Sequence, residues 1–160
     1  VYGTIMFNKP DDGKFERLLG MYKGDGAPEE RVTALQALGM AGNGKMIERA
    51  LGLSLSDDVR LQDSYIIMGS VAGSNPLGRL HYKDWALGNW KAFLARYDPA
   101  SHMLKGCVQS FGMLADRKSK AELEAFFADE TNIRDDIKVA SRQTIERIAA
   151  NVAFVERNSG

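Results

Sequence analysis

Apolar residues recur at three- and four-residue spacings along nearly the whole chain, and no segment alternates apolar and polar positions for the length a strand requires. The pattern is that of an all-α protein. Tyr2, Ile5 and Met6 form a short first stripe; Phe15, Leu18, Leu19 and Tyr22 form a second, closed by Gly24-Asp25-Gly26. Pro28-Glu29-Glu30 opens the next helix, with proline where no backbone N–H is needed and two acids where the positive end of the helix dipole favours them. Val32, Leu35 and Leu38 are expected to face inward from it. Gly42-Asn43-Gly44 breaks the chain before Ile47, Ala50 and Leu51 carry a fourth helix. Ser56 is expected to cap a fifth that begins at Asp57-Asp58 and ends at Gly73-Ser74-Asn75.

The most distinctive stretch is Asn75-Pro76-Leu77-Gly78-Arg79 followed by Trp85-x-x-x-Asn89-Trp90. Asn75-Pro76 reads as a helix start, and one long helix is expected after it. Tyr82, Ala86, Trp90, Phe93 and Tyr97 fall on one face of that helix, which must be buried. Asp98-Pro99 stops it. Leu104, Cys107, Val108 and Phe111 then make another inward stripe, Ser119-x-x-Glu122 matches a capping box ahead of Leu123, Phe126 and Phe127, and Ile137, Ile145, Ile148, Val152 and Val155 line a long last helix. The count is about nine helices joined by short breaks, arranged as successive antiparallel pairs, which is the logic of an α-solenoid of HEAT or armadillo type.

Composition narrows the classes of function. The 160 residues form a chain long enough to bury about 70% of the surface its unfolded form exposes, so one helical-repeat domain spanning 1–160 is expected. Lysine plus arginine equals aspartate plus glutamate at 21 each, with no basic run, which argues against nucleic acid as a partner. No apolar run approaches the ~20 residues of a membrane span, and Val1-Tyr2-Gly3 lacks the basic start of a signal peptide. No membrane contact and a cytoplasmic location are therefore expected. Cys107, the single cysteine, cannot form an internal disulfide and sits where a small buried hydrophobe belongs.

Candidate chemistry is sparse. A metallopeptidase needs two histidines one helical turn apart with a glutamate nearby, whereas His81 and His102 are separated by a whole helix and neither lies in H-E-x-x-H. No metal ligands, and no cofactor, are expected in this chain. His81 reads as a rim residue, and His102 as a loop or cap residue ahead of an apolar helix. Ser64, Ser70 and Ser110 lack a G-x-S-x-G setting, and no glycine-rich loop is followed by the Lys-Ser or Lys-Thr of a phosphate site. Val59-Arg60-Leu61-Gln62-Asp63 reads by composition as a solvated helix face.

Taken in order, Arg31…Ala34-Leu35…Ala37-Leu38, Gln62-Asp63, Asn75-Pro76-x-Gly78-Arg79, Trp85-x-x-x-Asn89-Trp90, Phe126-Phe127 and Thr144-Ile145…Asn151-Val152-x-Phe154 resemble the C-terminal helical domain of the zinc aminopeptidases. The nearest subgroup is that of the puromycin-sensitive, alanyl, glutamyl and endoplasmic-reticulum enzymes. The resemblance implies a C-terminal fragment of a hydrolase whose catalytic signatures, G-A-M-E-N and H-E-x-x-H, lie elsewhere, with zinc held in the parent enzyme. It implies a non-catalytic domain that closes the active-site chamber and shapes peptide access and specificity. Its partners would be the catalytic domain of the same polypeptide and peptide substrates. Aligned through Asn89-Trp90, Asp98 and His102 fall where the family's pocket-facing loop residues lie, and Arg60, Gln62 and Asp63 join them as substrate-pocket candidates. Asp98 as a helix stop and His102 as a cap are the competing assignments. The alternative for the whole chain is a free-standing helical-repeat module for protein interaction.

Overall fold

The computed structural model describes residues 2–160, so Val1, with which the expectation about the chain's opening begins, lies outside the described residues. Among the described residues the chain is all α, with ten α-helices, five short 3₁₀ turns and no strand. It packs as two compact units, Val1–Trp85 and Ala86–Gly160.

The first unit holds α1 (Tyr2–Asn8), α2 (Asp12–Lys23), α3 (Pro28–Gly39), α4 (Gly44–Ser54), α5 (Ser64–Ser74) and most of α6 (Pro76–Gly88). Its helix ends follow the sequence punctuation. Asp11 accepts the Lys14 N–H at 2.8 Å, Asn43 accepts that of Met46 at 2.9 Å, and Asn75 accepts that of Gly78 at 2.6 Å, each satisfying an N-terminal donor its helix leaves open. α3 is the centre of the unit, packing on α1, α2 and α5. Ala34, Leu35, Leu38, Ile47, Leu51 and Ile67 are sealed from solvent in the core. At the α3–α5 crossing the backbones approach so closely that a Cβ on Gly39 would stand 2.8 Å from the Ile67 carbonyl, and the Ser70 hydroxyl donates to the Gln36 carbonyl at 2.6 Å.

Two expectations change here. Val32 is exposed; the adjacent Arg31 takes the contact instead, its Nε donating to the Tyr22 carbonyl at 2.9 Å with the guanidinium 5.5 Å from the Tyr22 ring. Ser56 caps no helix. Its hydroxyl donates to the Leu53 carbonyl and accepts the Asp58 N–H, tying off the end of α4, and α5 begins only at Ser64, after the 3₁₀ turn Leu61–Asp63.

The second unit holds the end of α6, α7 (Trp90–Arg96), α8 (Met103–Gln109), α9 (Arg117–Ala128) and α10 (Lys138–Asn158). The Trp-rich segment is two helices where one was expected. Asn89 bonds back to Ala86 in a tight 3.2 Å turn and lends its carbonyl to Phe93, so the ladder restarts at Trp90. The expected face survives the break, since Tyr82, Ala86, Trp90, Phe93 and Tyr97 are all buried. Trp90 is the hub of the second unit, with ring centroids 5.5 to 6.3 Å from Phe93, Phe111, Phe126 and Phe127. Its indole N–H donates to the Asn132 carbonyl at 2.8 Å, so the one polar atom of the ring is satisfied in the core. α10 packs on α8, α9 and the 3₁₀ turn Ser110–Met113, burying Ile148 and Val152, whereas Val155 is exposed. The cap of α9 is Asp116, which accepts the Ser119 N–H at 2.8 Å; Ser119 lies inside the first turn and is buried.

Candidate functional site

The loop after α7 is built by three local devices. Tyr97 leaves the helix in an extended conformation, Asp98 accepts the Ala100 N–H at 2.8 Å, and Pro99–Ser101 makes one 3₁₀ turn. The turn closes on His102, which adopts a left-handed conformation (φ 58°) found at no other non-glycine among the described residues. Histidine tolerates that region better than most residues, yet it still carries strain there. His102 stands at the N-terminus of α8 without capping it through its side chain, so its part in the turn is played by the backbone and the exposed imidazole is left to solvent. Asp98, by contrast, does serve as a cap.

Arg134 anchors this loop from 3₁₀-turn territory some forty residues on. Its guanidinium donates to the carbonyls of Leu94 (3.0 Å) and Tyr97 (2.7 Å) at the C-terminal end of α7, and forms a two-pronged pair with Asp136 (2.8 and 2.8 Å). Cationic charge at a helix C-terminus meets the negative end of its dipole, and carbonyls that no helix residue can serve gain donors. Bonding to Arg134 holds the Asp136 carboxyl below the usual carboxylate range, with the positive potential of His102 adding in the same direction. The same bond, helped by the charges of Asp136 and Asp98, holds Arg134 above its ordinary value against the opposing effect of burial. Asp98, His102, Arg134 and Asp136 are thus one electrostatic cluster. The sequence places the first two together; Arg134-x-Asp136 offers no signal beyond two opposite charges in a loop.

In the first unit, Arg60, Gln62 and Asp63 lie on and beside the 3₁₀ turn instead of a helix face. The side chains of Arg60 and Gln62 are exposed. Asp63 is half-buried and accepts the Tyr22 hydroxyl at 2.8 Å, while that hydroxyl accepts the Arg60 backbone N–H at 3.0 Å. Burial and the neighbouring Asp63 carboxylate raise the Tyr22 phenol above its usual range, which keeps it a donor to Asp63. The three candidates therefore divide into two solvent-facing side chains and one that fixes the turn.

Metal chemistry finds no foothold among these residues. His81 faces a single carboxylate, Glu48, at 3.6 Å, and no three His, Cys, Asp or Glu side chains among the described residues are grouped to hold an ion. The donors present do not fit a zinc site. Cys107 is buried in the α8 stripe. No helix among the described residues is long and apolar enough to cross a membrane.

The model of the ERAP1-like C-terminal domain matches residues 1–151. The chain belongs to that family. Within it, Aminopeptidase 2 of Candida albicans is 28% identical over 93% of this chain and 16% of its own length. Aminopeptidase M1-D of Oryza sativa subsp. japonica is 27% identical over 97% of the chain and 17% of its own, and the alanine/arginine aminopeptidase of Saccharomyces cerevisiae is 26% identical over 99% and 19%. As a member of the ERAP1-like C-terminal domain family, the chain thus spans about one sixth of the length of the relatives it matches.

Proposed function

We propose that this ERAP1-like C-terminal domain is the non-catalytic helical part of a zinc aminopeptidase, folded as a single domain of paired helices, that closes the active-site chamber and helps decide which peptides reach it. The observation that carries this reading is the family match over residues 1–151. Relatives named as aminopeptidases, about five to six times as long as the segment aligned, support assigning the chemistry to the remainder of the polypeptide. Zinc, which in such enzymes polarises the scissile carbonyl and its attacking water, would be held there. The partners of this chain are then the catalytic domain in cis and the N-terminal part of a peptide, and a cytoplasmic location fits the same reading.

In this reading the exposed edge of the Asp98–His102 loop meets the first side chain of the substrate, and Arg60, Gln62 and Asp63 supply further wall. A carboxylate at close range in a partly desolvated site favours a cationic side chain, and favours it most where that side chain is fully seated in the transition state. Arg134 already shares the charge of Asp98, so the discrimination expected is modest. In the full-length protein, Asp98→Ala is expected to lower kcat/KM for lysyl and arginyl substrates by roughly 3- to 10-fold, with a smaller effect on leucyl substrates. An equal loss for both classes, or none, leaves Asp98 with the capping role alone.

A further inference from the structure

α9 and the first turns of α10 flank an open hollow of about 300 Å³ whose lining includes Phe127, Ile133 and Ile145. Ser141 stands in the same lining, 2% exposed, and its hydroxyl has no hydrogen-bond partner among the described residues. Buried hydroxyls are nearly always bonded, so one left open beside a cavity points to a group that arrives with a ligand. Four charged side chains complete the lining. Two are engaged: Lys138 with Asp135 at 2.7 Å and Glu124 with Lys120 at 2.6 Å. Arg142 and Glu146 are exposed, one helical turn apart, and make no ion pair among the described residues, although side chains at that spacing are placed to meet.

We propose that this hollow binds a free amino acid with a branched aliphatic or aromatic side chain. The apolar lining takes the side chain, Arg142 takes the carboxylate, Glu146 takes the ammonium, and Ser141 supplies the only hydroxyl of the lining to the polar end. The spacing selects the ligand class. An unpaired cation and an unpaired anion lie four residues apart on α10, about 6 Å along the axis, which suits a molecule carrying both charges on one carbon. A peptide holds its two termini farther apart. The volume lies at the lower end of small-molecule sites and suits one such residue. This goes beyond the reading above and does not depend on it, although free amino acids are what an aminopeptidase releases.

The test is an amide chemical-shift titration of the 160-residue chain with L-leucine, N-acetyl-leucine, leucine amide and the dipeptide Leu-Leu. Leucine is expected to move amides within 124–146 and to saturate with a Kd of about 1–10 mM, as suits so small a ligand, and the three analogues to bind at least about tenfold more weakly. Arg142→Gln and Glu146→Gln, both on the surface, are each expected to weaken leucine at least threefold while leaving the melting temperature unchanged. No saturating shift up to about 50 mM leucine overturns the proposal. So does equal binding of N-acetyl-leucine that neither variant alters, which would make the hollow an apolar surface without recognition.

Discussion

Trp90 joins two kinds of stabilisation at one residue. Its ring fills the space between Phe93, Phe111, Phe126 and Phe127, and its N–H satisfies a carbonyl 42 positions away in sequence. Trp90→Ala is expected to cost roughly 3–5 kcal/mol, the range for removing a large buried aromatic. Trp90→Phe keeps most of the packing and leaves the Asn132 carbonyl without its donor, a loss of about 1–3 kcal/mol. Urea unfolding followed by circular dichroism separates the two, and a Trp90→Phe variant as stable as the natural chain would show that the hydrogen bond contributes nothing. His102 behaves in the opposite way. Glycine adopts its backbone angles without steric cost, so His102→Gly is expected to raise stability by up to about 1 kcal/mol, and His102→Val to lower it.

At the level of elements, caps decide where helices begin. Asp116→Ala is expected to destabilise by about 1 kcal/mol through loss of the cap on Ser119 N–H. The sequence contains two overlapping signatures here, Asp116-x-x-Ser119 and Ser119-x-x-Glu122, offset by less than one turn, and periodicity downstream fits either start. That is why the helix was legible and its first residue was not. Likewise the helical class, the Pro28 and Pro76 starts and the buried faces of α2, α4 and α8 follow from local spacing. The break at Asn89 does not, because a single turn can tighten without shifting the apolar face. Asp98 and His102 were reachable from the resemblance of the loop. Arg134 was not, because its bonds to Leu94 and Tyr97 span 40 and 37 residues and no local pattern reports a contact of that range.

For the second unit as a whole, Arg134 is the tie that joins the end of α7 to the approach of α10. Arg134→Ala removes donors from two carbonyls and leaves Asp136 without its cation, and a loss of roughly 2–4 kcal/mol is expected in denaturant unfolding. The pH dependence has a definite sign. Asp136 is held below its unfolded value, so its contribution is fully present above the ordinary carboxylate range near 4 and disappears as pH falls through the lower folded value. The stability difference between the natural chain and Asp136→Asn is therefore expected to be constant from neutral pH down to about 5 and to close as the solution is acidified toward 2. A difference that persists unchanged at pH 2 would mean that the pair acts through shape and not through charge.

The close backbone crossings of the first unit also set what substitutions this chain can accept. A Cβ at Gly39, Gly42 or Gly78 would press into the carbonyl of Ile67, Phe7 or Val71 respectively, and a carbonyl fixed in a neighbouring helix cannot swing aside as a flexible side chain can. Gly20, Gly52, Gly69, Gly73 and Gly88 meet nothing within 4 Å. In a saturation-mutagenesis library sorted for folded protein, the first three positions should come back as glycine alone, and the other five should return alanine at or above the level of glycine. One residue type, counted sixteen times in the sequence, thus separates into rigid spacers and replaceable links according to what stands opposite each α-carbon.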